Sequence, residues 1–143
     1  STVPFGTITT STNKIAAHTL TVATNAANGY TVFVRNTQLL TSGSNTILAH
    51  TGTNASPSVY PSAGVTEAFG YTTESVALSG TAARFSSNKW AGYATTFGTN
   101  EVMYSATPVN SAASKIGYQL IIVGTTKAGT YTTVVEYSAV PIY

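Results

Sequence analysis

The chain has 143 residues and a mass of 14.8 kDa, which is enough for one domain with a buried core. Charged residues make up only 7% of it, against about 25% in an ordinary soluble domain, and the formal net charge is +2. The lack of Cys excludes disulfides, thiolate metal sites and a cysteine nucleophile. The few scattered Lys and Arg residues form no basic patch, which argues against a nucleic-acid partner.

The first residues indicate a secreted protein. The chain begins with Ser-Thr-Val-Pro instead of Met, as expected of a mature chain whose signal segment has been removed. No run approaches the roughly 18 apolar residues of a spanning helix, so we expect no membrane span. The low charge is unusual for a dispersed monomer and favours a subunit whose surface is covered by neighbours. We therefore predict an extracellular, cell-surface location.

Residues 1–12 form the first predicted element, with a strand at 3–10. This segment is polar except at Val3, Phe5 and Ile8, and Pro4 restricts it to an edge position because proline cannot donate to a ladder. It either folds back on its own sheet or inserts into a groove of the next copy, where backbone bonds and alternate side chains would hold it. We treat 1–12 as a candidate donor strand and 13–143 as the main domain.

The next two predicted strands, 18–24 and 30–36, show a clear period of two. Asn28-Gly29 lies between them, and both residue types tolerate a positive φ. The pattern therefore predicts a β-hairpin.

Further strands are predicted at 46–50, 68–73, 102–105, 116–123 and 130–140, which makes about eight. The segments 51–64 and 79–99 are expected as long surface loops, with short helical turns around 81–85. We expect 130–140 to pair centrally and to be joined to 116–123 by a turn at 124–129. The predicted fold is all-β, a single antiparallel β-sandwich of immunoglobulin or jelly-roll type.

Catalytic and metal chemistry find little support in the residue types present. His18 and His50 are the two histidines, and Glu67, Glu74, Glu101 and Glu136 are the four carboxylates. Neither histidine has an acidic neighbour, and both are interpreted as strand-end residues rather than catalytic bases. Short-spaced His or Cys ligands for zinc and clustered Asp for calcium are not found. We predict no enzyme activity, no metal site and no cofactor.

Two weaker surface signals remain. Asn54-Ala55-Ser56 matches an N-glycosylation acceptor, although Pro57 follows it directly. The middle third is rich in aromatics, and Tyr60, Trp90 and Tyr93 are candidates for a carbohydrate platform or for core and interface anchors.

Three stretches, "PFGTIT", "TLTVATNAANGYTVFV" and "AGTYTTVVEYSAVPIY", resemble secreted β-sandwich surface proteins of bacteria and archaea. The overall character is similar to subunits of donor-strand filaments, such as archaeal threads, bundling pili, biofilm-fibre proteins and camelysin-like proteins. In such filaments an N-terminal strand of one subunit completes the sandwich of the next. The resemblance implies that Val3, Phe5 and Ile8 are the inserted side chains.

The leading functional prediction is thus a structural subunit of an extracellular, pilus-like filament. Copies of the chain would be its partners, joined head to tail into a helical homopolymer by strand donation. The alternative is a monomeric secreted or cell-surface domain that binds carbohydrate or other cells through the aromatic middle third.

Overall fold

The computed structural model describes residues 2–143, in which ten β-strands are joined by turns and loops. The strands are β1 (Lys14–Thr24), β2 (Tyr30–Asn36), β3 (Leu40–Ser42), β4 (Asn45–Ile47), β5 (Ser58–Val59), β6 (Ala68–Thr73), β7 (Lys89–Gly92), β8 (Glu101–Ser105), β9 (Val109–Ile121) and β10 (Val135–Pro141). None of the described residues is helical, so the all-β prediction is confirmed. Accordingly, residues 2–143 contain no helix able to cross a membrane.

Two sheets pack face to face and enclose the main core. The five-stranded sheet has the order β1-β9-β6-β7-β5, the three-stranded sheet has the order β10-β2-β8, and β3 pairs with β4. Side chains of both sheets meet in one apolar cluster, so the architecture is a β-sandwich, as the sequence predicted. Its buried strand residues include Tyr30, Val32 and Val34 from β2, Val102 and Met103 from β8, Phe69 and Tyr71 from β6, and Ile116, Tyr118 and Leu120 from β9.

The five-stranded sheet is also covered on part of its outer face. Tyr60, Ala68, Trp90 and Ile121 form a second buried cluster there. Ala68 and Ile121 are paired across β6 and β9. Because side chains alternate between the faces of a strand, β6 and β9 carry apolar residues on both sides.

The predicted hairpin between β1 and β2 is wrong. β1 pairs with β9, and β2 pairs with β10 and β8, so the two strands lie in opposite sheets. Gly29 has a φ of 79°, and a Cβ at this position would overlap the backbone carbonyl of Ser105 at the end of β8. The glycine therefore allows the start of β2 to lie close against the end of β8, its neighbour in the three-stranded sheet. A period of two cannot reveal which strand is the partner.

The expectation that the last strand pairs centrally is also wrong. β10 is shorter than 130–140 and lies at the edge of the three-stranded sheet, whereas 116–123 falls largely in β9 of the other sheet. Residues 124–129 hence cross between sheets and do not close a hairpin. Thr132 exchanges backbone hydrogen bonds with Thr41, and this draws the chain before β10 towards β3.

The limits of two predicted strands are confirmed, and some short strands were missed. The strands at 30–36 and 68–73 have the predicted limits. β5 and β7 fall inside segments predicted as loops, because two to four residues are too few to display a period. Residues 81–88 form turns where short helical turns were expected.

Candidate functional site

The N-terminal segment packs on the core through side chains alone. Val3, Phe5 and Ile8 are half-buried against the main core, and the Phe5 ring meets Phe69 edge to face at 6.1 Å. Within the described part of the chain, residues 2–8 make no backbone–backbone hydrogen bond and belong to no strand. The strand predicted at 3–10 is therefore not formed in the isolated chain. Its backbone donors and acceptors stay free for another partner.

A kink at Gly6 sets the direction of the side chains in this segment. Val3 and Phe5 are two residues apart and lie on one face, while Ile8 has the opposite parity and would point away in a regular strand. Gly6 has a φ of 66°, a value that glycine adopts without strain, and it brings Ile8 back to the buried side. Pro4 points to solvent.

β1 and β10 are the edge strands of the two facing sheets, and they lie on the same side of the sandwich. The His18 ring of β1 meets the Tyr137 ring of β10 at 5.5 Å. At the far end, Ile142 exchanges backbone hydrogen bonds with residues 28 and 29, shortly after β1 ends. The two strands thus run side by side across the gap between the sheets. We name this region the open flank and define it by Leu20, Val22, Tyr137 and Ala139.

The open flank leaves apolar surface uncovered. Along β1, residues alternate between half-buried and exposed, so even the core-facing Leu20 and Val22 do not become fully buried. Ala139 follows Tyr137 by two residues on the same face of β10, yet it is exposed. Among residues 2–143 no further strand pairs with the outer edge of β1 or β10. Two neighbouring unpaired edges with apolar surface between them are a template for adding a strand.

A cluster of three polar rings bridges the two sheets beside the open flank. The Tyr118 hydroxyl is hydrogen-bonded to Tyr137 Oη and lies 3.2 Å from His18 Nδ1. Burial lowers the pKa of His18, so its imidazole is neutral near pH 7. Burial raises the pKa of Tyr118 to about 12 and also raises the pKa of Tyr137. Both phenols are therefore protonated at neutral pH.

The opposite edge of the three-stranded sheet, β8, is closed by side chains. Asn54 Nδ2 donates to the carbonyl of Glu101 at 2.8 Å, and Thr73 Oγ1 donates to the carbonyl of Val102 at 2.8 Å. These bonds occupy backbone acceptors at the start of β8. An added strand would have to displace them.

Behind β8 lies a buried ion pair, Arg84 with Glu101, in which both side chains are less than a tenth exposed. The Arg84 guanidinium donates five hydrogen bonds, two of them to Asn54 and one to Glu101. Ser79 donates through its backbone N–H and its hydroxyl to the Glu101 carboxylate. We call Arg84, Glu101, Asn54 and Ser79 the arginine network. It anchors the irregular segment 74–88 over this edge.

The structure places the predicted glycosylation residue inside this network. Asn54 is buried, and its Nδ2 donates to Tyr71 Oη at 2.9 Å as well as to Glu101. Attachment of a sugar to that nitrogen in the folded chain would break both contacts. The geometry therefore disfavours Asn54 as a glycan site of the folded protein.

The aromatic residues considered as a carbohydrate platform are not on the surface. Tyr60, Trp90 and Tyr93 are at most 8% exposed. The Tyr60 hydroxyl donates to the carbonyl of Gln119 at 2.7 Å, and Tyr93 stacks on Phe69. These residues are core anchors in this fold, which was the other interpretation of the sequence.

A serine and a histidine come together elsewhere, but without a carboxylate. His50 Nε2 lies 3.0 Å from Ser58 Oγ, and the His50 ring stacks on Tyr60. Each of the four carboxylates has a different partner: Glu67 bonds Thr126, Glu74 pairs with Lys115, Glu101 with Arg84, and Glu136 with Arg35. A Ser-His-carboxylate arrangement is hence not assembled within residues 2–143. The same residues hold no group of three His or acidic side chains suited to a metal.

Comparison of the chain with protein-family models, with curated proteins and with solved structures finds no match. A function must therefore be inferred from the molecule itself. The two features that bear on it are the N-terminal segment and the open flank.

Proposed function

We propose that the protein is the structural subunit of an extracellular filament in which residues 2–8 of one copy pair with the open flank of the next. The observation that carries this proposal is the N-terminal segment itself. It presents three apolar side chains in a defined pattern, yet it makes no backbone hydrogen bond to its own domain. A segment held in this way can detach at low cost, since only half-buried contacts are lost.

The dimensions of donor and acceptor support the pairing. Residues 2–8 comprise seven residues, and β10 (Val135–Pro141) also has seven. A strand added beside β10 would widen the three-stranded sheet to four and would face the half-buried side of β1. Val3 and Phe5 would then cover Leu20, Val22 and Ala139, and backbone bonds along β10 would supply affinity.

Phe5 contacts Phe69, which pairs with Leu120 near the end of β9, so the segment covers one end of the core and leaves the flank clear. Donor and acceptor are therefore different surfaces of one subunit. A contact between two different surfaces does not close on itself and propagates as a fibre. The scarcity of charge is consistent with this role, because charges protect edges that must stay unpaired.

Two variants test the proposal separately at its two ends. Deletion of residues 3–8 removes the donor and leaves the acceptor. Ala139→Lys places a long charged side chain at an exposed, core-facing position of the acceptor and leaves the donor. Ala17→Lys, at an exposed position on the outer face of β1, is the matched control.

We expect negative-stain images of the full chain and of Ala17→Lys to show fibres, and we expect size-exclusion chromatography of the other two variants to show monomers. A mixture of the two monomeric variants should form a one-to-one dimer, because each lacks a different half of the contact. A full chain that is monomeric at high concentration would contradict the proposal. Fibres that persist in the Ala139→Lys variant would move the acceptor to another edge.

The alternative of a carbohydrate-binding or adhesion domain has no comparable support. Its candidate side chains, Tyr60, Trp90 and Tyr93, lie in the core, where a sugar could not stack on them.

A further inference from the structure

The kink at Gly6 divides the N-terminal segment into two parts that reach the core in different ways. Val3 and Phe5 precede the kink and share one face, as alternate residues of a strand do. Ile8 lies three residues after Phe5, so a regular strand would project it from the opposite face. It packs against the core because Gly6 has a φ of 66°. The kinked backbone is therefore what brings all three side chains to the core of their own subunit.

Strand donation requires a different backbone conformation at the same residue. A strand that pairs along β10 is extended, with φ values of about −120° to −140°. In that form Val3 and Phe5 keep a common face, whereas Ile8 turns to the other side. The docked segment and the donated segment are thus two alternative conformations of one stretch of chain.

The docked conformation depends on the freedom of glycine and on a small number of side-chain contacts. A Cβ at Gly6 would meet no heavy atom within 4 Å apart from its chain neighbours, so no steric fit selects glycine there. Its positive φ does select it, because other residues adopt that conformation only with strain. The contacts are the edge-to-face meeting of Phe5 with Phe69 and the half-buried Val3 and Ile8.

We infer, on the basis of the proposed strand donation, that Gly6 is a hinge that holds the donor strand back. In the kinked form the segment docks on its own core, and the extended form pairs with the next copy. Ile8 then serves docking alone, whereas Phe5 serves both docking and donation. Because the docked fraction does not bind, docking lowers the apparent affinity between copies in proportion to its population.

Calorimetric titration of a donor-only monomer into an acceptor-only monomer measures this effect. The Ala139→Lys variant is the donor, and the variant that lacks residues 3–8 is the acceptor. In the donor, Gly6→Val should tighten binding about fivefold or more, since a Cβ strains the kink and valine favours a strand. Ile8→Ser should also tighten binding, by about threefold, because it removes a docking contact. Phe5→Ser should instead weaken binding about tenfold, because the donated strand loses its largest side chain.

Gly98→Val in the donor is the matched control. Gly98 lies in the loop between β7 and β8, has a φ of 85°, and has open space around the position of a Cβ. Valine therefore introduces the same kind of backbone strain outside the N-terminal segment. The control should bind the acceptor with the affinity of the unchanged donor.

Thiol labelling tests the hinge in a single subunit. The chain has no Cys, so Val3→Cys in the donor supplies one thiol, which is half-covered while the segment is docked. Addition of Gly6→Val should speed the reaction of this thiol with a disulfide reagent about fivefold or more, because the segment spends more time released. Addition of Gly98→Val should leave the labelling rate unchanged.

The two measurements separate failure of the hinge from failure of strand donation. Binding that is unaffected by Gly6→Val, or that is weakened by Ile8→Ser, would overturn the inference while strand donation holds. Equal labelling rates for Gly6→Val and Gly98→Val would overturn it as well. Absence of binding by every donor would contradict strand donation and, with it, the inference.

Discussion

The two edges of the three-stranded sheet are treated in opposite ways. At β8, side chains of Asn54 and Thr73 bind the backbone carbonyls, and a buried ion pair holds a covering segment in place. At β10, apolar surface stays half-covered and the outer edge is unpaired within residues 2–143. The β8 edge shows that a chain with few charges can still close a sheet edge firmly. The openness of β10 is therefore not a general consequence of composition.

The largest effect is expected at the closed edge. Arg84→Met removes one partner of a buried pair and leaves the Glu101 carboxylate unpaired, which should lower the free energy of unfolding by about 3–5 kcal/mol. Arg35→Met breaks a partly exposed pair with Glu136 and should cost about 0.2–1 kcal/mol. Urea unfolding of both variants measures the difference. Equal losses would show that the arginine network does not hold this edge.

The same leucine truncation should have different effects in the core and at the open flank. Leu120 is 3% exposed, and Leu120→Ala should cost about 2–5 kcal/mol of unfolding free energy. Leu20 is only half-buried on β1, so Leu20→Ala in the monomeric deletion variant should cost about 1 kcal/mol. In fibres the Leu20→Ala loss should grow, because a donated strand would bury that side chain. A loss of the same size in monomer and fibre would mean that the flank remains uncovered on assembly.

A smaller effect should follow from the pH. Burial lowers the pKa of His50 below its usual 6.5, so the unfolded chain binds more protons than the folded chain just below that pH. Its stabilising contribution is present above pH 6.5 and declines as the pH falls towards the lowered value, by about 1.4 kcal/mol for each unit of pKa difference. Unfolding free energies of the full chain and of His50→Gln, measured between pH 8 and pH 4, should diverge in this window. Parallel curves would contradict the assignment to His50.

The smallest effect is expected where the charges are most exposed. Lys115 and Glu74 form an ion pair of 3.4 Å between side chains that are more than half exposed. Glu74→Gln should change the free energy of unfolding by less than about 0.5 kcal/mol, and high salt should abolish even that. A larger loss would mean that this ion pair, like the arginine network, helps to hold the segment 74–88 in place.

Local patterns identified strands but not their partners. The period of two predicted the strand at 30–36, and β-branched and aromatic residues between turn clusters predicted the strand at 68–73, each with the limits that the structure has. The hairpin assigned to Asn28-Gly29 was wrong because alternation reports only that one face is buried. It does not report whether the facing neighbour is next in the chain or 90 residues away.

For the candidate site, too, the sequence predicted some features and missed others. The sequence identified the N-terminal segment as a candidate donor strand through its composition and its three apolar residues, Val3, Phe5 and Ile8. The burial of Asn54, Trp90 and Tyr93 was not visible there, because loops 51–64 and 79–99 are held by long-range bonds such as those of Arg84. The cluster of His18, Tyr118 and Tyr137 also gave no sequence signal, since its members come from three strands.

From the residues alone we could predict an all-β chain with low charge, no cysteine and an N-terminal segment with three apolar side chains. These properties follow from residue type and local period, which each stretch carries on its own. Long-range packing, in contrast, places β1 and β2 in opposite sheets, leaves β10 at an open edge and brings Asn54 against the β8 edge. Such outcomes depend on which distant strands pack together, and packing is decided by the free energy of the whole core rather than by any single stretch.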